Sequence, residues 1–258
     1  MSVRSPLVGL QSNEGGAHRI LIQGIPGTGK TYSALTFPNP LVVNFDNKLP
    51  RDRSINQIPF HTIEYMRSLY KTYGADPANL NLRDAFRMWL EKEMPKIDAK
   101  NTTLIIDSWT MVSNATVTQC MKERKPSKQT GELDSRQAWG ELLNYMYYIH
   151  ELLKRYDGLL ISIAHEYIDR DEKGQPTSVS SPLFAGSFKD QFAAHYTNYW
   201  RMDVVRPPKD APENTPSDYR WQLKGSVLFN SICSFTPPAM FVKADYDSIK
   251  DHLIPVKS

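Results

Sequence analysis

The residues best suited to chemistry lie in segment 19–34, RILIQGIPGTGKTYSA. Its spacing matches G-x-x-x-x-G-K-[ST], the P-loop or Walker A pattern that binds phosphates. Glycines let the backbone turn tightly enough to point several N–H groups at one polyphosphate. We expect Lys30 to reach the β- and γ-phosphates and the Thr31 hydroxyl to hold Mg²⁺. The residues predicted to bind the nucleotide are Gly24, Pro26, Gly27, Thr28, Gly29, Lys30, Thr31 and Tyr32.

Three further polar residues each follow an apolar segment typical of a buried strand. They are Asp46 after 41–45, Asp107 after 103–106 and His165 after 159–164. In a parallel sheet such strand ends meet at the edge where ligands bind. Asp107 is predicted to be a Walker B acid that orients Mg²⁺, and Asp46 to lie beside the phosphates if its strand is close. His165 is placed to sense the γ-phosphate, although a lone histidine also has a purely structural explanation.

The elements that must position these residues alternate between strand and helix. A strand, the glycine turn, a helix and a second apolar strand form a βαβ unit, which predicts a mostly parallel sheet with helices on both faces. Helical spacing of apolar residues predicts helices over 82–96 and 138–156. Further expected elements are a strand near 59–63, a helix then a strand over 182–205, a terminal strand or hairpin from 219–223 and 227–229, and a short helix over 244–253.

Composition limits the classes of protein that fit. A chain of 258 residues with 40% hydrophobic content suits one α/β domain, predicted over 18–240 between a flexible arm at 1–17 and a tail at 241–258. The net charge of +3 neither requires nor excludes nucleic acid. Cys120 and Cys233 lack zinc or disulfide spacing, which suits a reducing cytoplasm. With no apolar run near 18 residues, we expect a soluble protein without a membrane partner.

Two polar regions could contact nucleic acid. The first, 111–137, contains Lys122, Arg124, Lys125 and Lys128, and fits either a solvated helix end with its loop or a loop that binds a phosphate backbone. The second, 166–181, is predicted to be a long exposed loop. Its basic residues are Arg170 and Lys173.

The order of these motifs resembles the RecA-type ATPase core. More narrowly, GIPGTGKT, LIIDS, the helix start at 138–140 and PLFAG at 182–186 resemble the phage nucleotide-binding proteins. Those are single-domain RecA-like recombinases that work with single-strand annealing and single-stranded-DNA-binding proteins. The resemblance covers about residues 17–240. It implies ATP and Mg²⁺ as cofactors, single-stranded DNA and a single-stranded-DNA-binding protein as partners, self-assembly into a ring or helical filament, and the host cytoplasm as location.

The resemblance also implies roles for single residues. Asp46 matches the acid that activates water, where RecA itself has glutamate, and His165 matches a glutamine that links the γ-phosphate to a DNA-binding loop. Segments 111–137 and 166–181 correspond to DNA loops one and two. Lys224 lies near the position from which RecA-like proteins supply a cation to the neighbour's ATP.

Together these features predict an ATPase stimulated by single-stranded DNA that promotes annealing or strand pairing in phage recombination. A helicase motor or loader ATPase is the first alternative. A P-loop small-molecule kinase is the second, but such kinases normally close an arginine-bearing lid over the phosphates, and 166–181 offers Arg170 among several acids. A binding module that has lost turnover is the third.

Overall fold

The computed structural model describes residues 18–50, 54–126, 131, 133, 135–184, 188–212 and 215–253. The predicted arm at 1–17 and Lys128 lie outside the described residues. The strands are β1 (Arg19–Gly24), β2 (Pro40–Asn44), β3 (Asn56–Pro59), β4 (Thr103–Asp107), β5 (Leu160–Tyr167), β6 (Ser181–Pro182), β7 (Asn198–Val205), β8 (Asp218–Gln222) and β9 (Phe241–Lys243). The α-helices are α1 (Lys30–Ala34), α2 (Ile63–Thr72), α3 (Leu82–Lys92), α4 (Trp109–Glu123), α5 (Ser135–Leu153) and α6 (Lys189–Phe192).

One sheet organises these elements, in the order β3-β2-β4-β5-β1-β7-β8-β9, with β6 paired to β5. The neighbouring strands β3, β2, β4, β5, β1 and β7 pair in parallel. Strands β8 and β9 add an antiparallel edge next to β7. Strand β5 lies between β1 and β4, so the strand that contains His165 separates the P-loop strand from the strand ending in Asp107. The carboxyl ends of β1, β2, β4 and β5 therefore share one edge.

Side chains alternate between the two faces of the sheet, and each face has its own core. Leu21, Val43 and Ile106 pack with α2, α3, α4 and α5 on one face. Ile20 and Ile163 pack on the other face with α1 and with the chain's last 3₁₀ turns, which contribute the buried Ile249. Strands buried on both faces read as continuous apolar runs, as this sequence does.

The predicted α/β class with a mostly parallel sheet and helices on both faces is confirmed, while several local predictions were wrong. Residues 111–123 belong to α4 and 135–137 to α5, so the helix-end alternative fits this region and a single loop over 111–137 does not. Strand β5 runs on to residue 167 and so includes Glu166. The strand predicted near 59–63 ends at Pro59, and α2 starts at Ile63.

The chain's C-terminal part is built into the sheet. Strand β8 pairs with β7 on one side and with β9 on the other, not with 227–229. Residues 241–243, predicted to open the tail, thus form the outermost strand, and short 3₁₀ turns replace the helix expected over 244–253. Within the described part of the chain, none of the helices combines the length and apolarity needed to cross a membrane.

Candidate nucleotide-binding site

The P-loop connects the end of β1 to the start of α1. Gly27 and Gly29 both have φ near +80°, a conformation that side chains with a Cβ rarely adopt. Gly29 also lies against the Tyr219 ring, since a Cβ at this position would come within 3.1 Å of Tyr219 Cδ1. At Gly24 a Cβ would come within 3.0 Å of Met202 Cβ. Glycine is therefore required here both by the turn and by its close neighbours.

Lys30 is buried at the base of this turn. Its ammonium donates hydrogen bonds to the carbonyl oxygens of Gly24 and Ile25, each at 2.8 Å. Burial lowers the pKa of Lys30 to about 8, and the nearby carboxylates, with Asp107 the strongest, oppose that shift. A cation held in this way by its own loop is poised to exchange carbonyl oxygens for phosphate oxygens.

Thr31 and Asp107 form the second part of the site. The Thr31 hydroxyl donates a 2.6 Å hydrogen bond to Asp107 Oδ2. Burial raises the pKa of Asp107 to about 6, against the opposing effect of this hydrogen bond. A hydroxyl and a carboxylate oxygen side by side fit Mg²⁺, which binds through one or two protein groups plus phosphates and water. Among the described residues, no group of three or more His, Cys, Asp or Glu side chains is placed to hold a metal ion.

These groups line an open cavity of about 670 Å³ at the carboxyl edge of the sheet, together with Asp46 and His165. Asp46 reaches it even though β2 is separated from β1 by β4 and β5. The His165 backbone N–H donates to Thr110 Oγ1 at 3.0 Å, while its buried Nδ1 has no partner among the described residues. Burial first, then the charges of Lys30 and Lys48, lower the pKa of His165. A neutral imidazole with an unpartnered nitrogen suits a hydrogen bond to a ligand.

The remaining predicted site residues lie elsewhere. Lys224 follows β8 and is exposed outside the cavity. Lys122 and Lys125 are exposed and Arg124 is half-buried, all near the C-terminal end of α4. This helix starts just after Asp107 and has 15 residues, so its C-terminal end lies about 22 Å along the helix from its start.

The second predicted DNA loop begins directly after β5. Arg170 and Lys173 are exposed there, and Arg170 Nη1 donates to the Gly174 carbonyl at 2.8 Å. The backbone of Asp171 pairs with that of Gln175 at 2.9 Å, so this segment is a hairpin-like arm.

Sequence reasoning missed Lys48 and the wall formed by Met202, Tyr219 and Ala244, all of which line the cavity. Lys48 follows Asp46 by two residues, so its position could have been found from the same strand end. The other three belong to or follow β7, β8 and β9, and no spacing rule connects those strands to a P-loop.

The fold and site together define a P-loop nucleotide-binding protein with an α/β core. The family model described as AAA domain matches residues 17–196, and the chain belongs to that family. No curated protein matches it. Among solved structures, a KaiC-like protein from the hyperthermophilic archaeon Pyrococcus horikoshii OT3 is similar, with 13% identity, a TM-score of 0.40, and coverage of 81% of this chain and 80% of that one. Membership of a P-loop family implies a bound nucleotide and, typically, Mg²⁺.

Proposed function

We propose that this protein hydrolyses ATP and couples hydrolysis to single-stranded DNA, as a recombinase that promotes annealing or strand pairing in phage recombination. One observation supports the hydrolytic part above all others. A single cavity contains the phosphate loop with Lys30, the Thr31–Asp107 pair, the Asp46 carboxylate and the His165 ring. A hydrolase needs these four functions: phosphate binding, metal binding, a base for water and a sensor.

In the proposed reaction, water attacks the γ-phosphorus and the bond to the β-phosphate oxygen breaks, so ADP leaves with the electron pair. Asp46 accepts the proton of the attacking water. Lys30 neutralises charge on the β- and γ-phosphates, and His165 donates a hydrogen bond to the terminal phosphate. Bound through Thr31 and Asp107, Mg²⁺ would supply further charge neutralisation.

Coupling to DNA is proposed to run through β5. The Leu183 N–H donates to the His165 carbonyl at 2.7 Å, so the chain leaving the arm at 168–180 is bonded to the sensor residue. Ser180, at the end of this arm, accepts a 2.6 Å hydrogen bond from Gln23 Nε2 on β1. A change at the γ-phosphate would thus reach the arm that presents Arg170 and Lys173.

The test is ATP turnover by the purified protein with and without single-stranded DNA, in parallel with Lys30→Ala. We expect a basal rate that DNA raises, and a loss of at least about 100-fold in Lys30→Ala. Arg170→Ala combined with Lys173→Ala should weaken DNA binding and make its loss with added salt less steep, because fewer phosphates are neutralised. Equal rates with and without DNA, together with no DNA binding in ATP, would refute the DNA part of the proposal.

The same preparation separates the alternatives. Duplex unwinding in place of annealing would identify a helicase motor, and transfer of the phosphoryl group to a nucleoside would identify a kinase. The proposal also includes self-assembly and a single-stranded-DNA-binding protein as partner. Electron micrographs with a non-hydrolysable ATP analogue and DNA would show a ring or filament if assembly occurs.

A further inference from the structure

Lys48 is presented to the cavity by a fixed turn at the end of β2. Asn44 Oδ1 accepts a 3.0 Å hydrogen bond from the Asn47 N–H, and Asn47 has the left-handed φ of 57°. Asn44 Nδ2 donates to Gln57 Oε1 at 2.8 Å, which ties the turn to β3. Because both ends of the Asn44 amide are engaged, the turn holds Asp46 and Lys48 over the cavity.

The Lys48 ammonium is available to a ligand in a way that Lys30 is not. Its Nζ lies 3.4 Å from Asp46 Oδ2, and its side chain is 70% exposed, against 8% for that of Asp46. Ion pairs with such an exposed member are weak, so exchanging this pairing for a stronger anion costs little. Among the described residues, Lys30 and Lys48 are the two lysines of the cavity lining, which contains no arginine.

The charge of Lys48 already acts on the groups of the proposed reaction. After burial, the charges of Lys30 and then Lys48 lower the pKa of His165. His165 and Asp107 lie on β5 and β4, the two strands between β2 and the P-loop strand, and both line the same cavity as Lys48.

We propose that Lys48 is a catalytic residue that supplies, within the same chain, the cation that stabilises charge on the terminal phosphoryl oxygens during ATP hydrolysis. This inference rests on the proposed hydrolysis. In the reaction Lys48 keeps its proton and exchanges Asp46 for phosphoryl oxygen as charge develops, which frees the Asp46 carboxylate to accept the proton of the attacking water. The catalytic centre is then complete in one chain, without the cation expected from a neighbour's Lys224.

The experiment compares Lys48→Met, which keeps the length of the side chain, with Lys48→Arg and with the control Lys71→Met, an exposed lysine on α2 outside the cavity. Lys48→Met should lower kcat by about 10²–10³-fold, the usual effect of removing one group that stabilises transition-state charge. Lys48→Arg should restore at least a tenth of the wild-type kcat, and Lys71→Met should equal the wild type.

A second readout does not depend on turnover. Wild-type protein should bind ADP with aluminium fluoride, which mimics the phosphoryl group in transfer, much more tightly than ADP alone. Lys48→Met should lose most of that difference while its affinity for ADP stays within about twofold, since the proposed contact is made only to the transferred group. An unchanged difference in Lys48→Met would overturn the proposal.

Mixing variants tests whether the cation acts within one chain. Lys48→Met mixed with Lys30→Ala should give the sum of two weak activities, because every active centre lacks one group. Recovery of activity in the mixture would show that Lys48 acts across subunits and would overturn the inference. Failure of the proposed function would look different. The wild-type protein would then show no ATP turnover, and Lys30→Ala would not differ from it.

Discussion

At the scale of single residues, the polar groups of the site are bonded to one another and to the loop's own backbone. The Lys30 amine binds the carbonyls of Gly24 and Ile25, and the Thr31 hydroxyl binds Asp107. The raised pKa of Asp107 and the lowered pKa of Lys30 both have burial as their largest cause. Binding of a polyphosphate with Mg²⁺ would remove the unfavourable part of both burials, because each charge would then face an opposite one.

Asp107 gives a pH-dependent prediction. Metal binding needs the carboxylate, whereas burial raises the pKa of Asp107 to about 6 and so favours its protonated form below that pH. The gain in nucleotide affinity from Mg²⁺ should therefore be full above that pH and fall about tenfold per pH unit below it. Titration of a fluorescent ATP analogue with and without Mg²⁺, at several pH values from about 5 to 8, measures this gain.

Asp107→Asn is the matched variant for this prediction. It should lose the Mg²⁺-dependent gain at every pH. Without nucleotide it should melt at a higher temperature than the wild type near neutral pH, because a buried amide carries no charge to desolvate. A variant that kept the full metal-dependent gain would show that Asp107 is not a metal residue.

The residues predictable from sequence were those whose neighbours along the chain define their role. Lys30 and Thr31 follow from glycine spacing, and Asp107 from an apolar strand that ends in an acid. Tyr219 could not be found in this way. Its contact with Gly29 depends on the pairing of β8 with β7. Gly29 and Tyr219 are 190 positions apart in the sequence.

At the scale of elements, β5 and β7 are joined across the carboxyl end of β1. Glu166, on the part of β5 that extends beyond Asp107's partner Ile163, has a side chain only 1% exposed. Its Oε1 accepts a 2.7 Å hydrogen bond from Arg201 Nε on β7. Its Oε2 has no partner among the described residues. This ion pair fixes the strand from which the arm at 168–180 leaves.

Arg201→Met should therefore destabilise the protein far more than loss of a surface ion pair. Leaving the Glu166 carboxylate buried without its cation should lower the free energy of unfolding by about 3 kcal/mol, the lower end of the range for buried pairs because Arg201 is itself partly exposed. Denaturant unfolding measures the change. Adding Glu166→Gln should recover part of the loss, since the uncompensated charge is then gone.

The control for this pair is Lys250→Met. Lys250 pairs with Asp247 at 2.9 Å, with side chains 47% and 82% exposed, so its removal should leave the free energy of unfolding close to that of the wild type. Equal effects of Arg201→Met and Lys250→Met would contradict the structural role given to the Glu166 pair.

At the scale of the whole molecule, the sequence predicted the parallel half of the fold better than its antiparallel edge. The parallel strands are long apolar runs separated by helices with clear spacing, so local pattern and final structure agree. The edge is different. Strand β9 has three residues, two of them partly buried and one exposed. Its own residues show no strand pattern, and it is a strand because it pairs with β8. Pairing between distant, short strands is not encoded in local periodicity, and the C-terminal segment was consequently expected to be a tail.

The structure predicts instead that the C-terminal segment is required for stability and for the cavity. Deleting 241–258 would expose the β8 edge, remove Ala244 from the cavity wall and take the fully buried Ile249 out of the second core. We expect this form to lose cooperative thermal unfolding. Because a deletion can fail for many reasons, Ile249→Ala in the full chain is the sharper test. It should cost about 2–4 kcal/mol by denaturant unfolding, and a cost near zero would mean that the segment packs only loosely on the sheet.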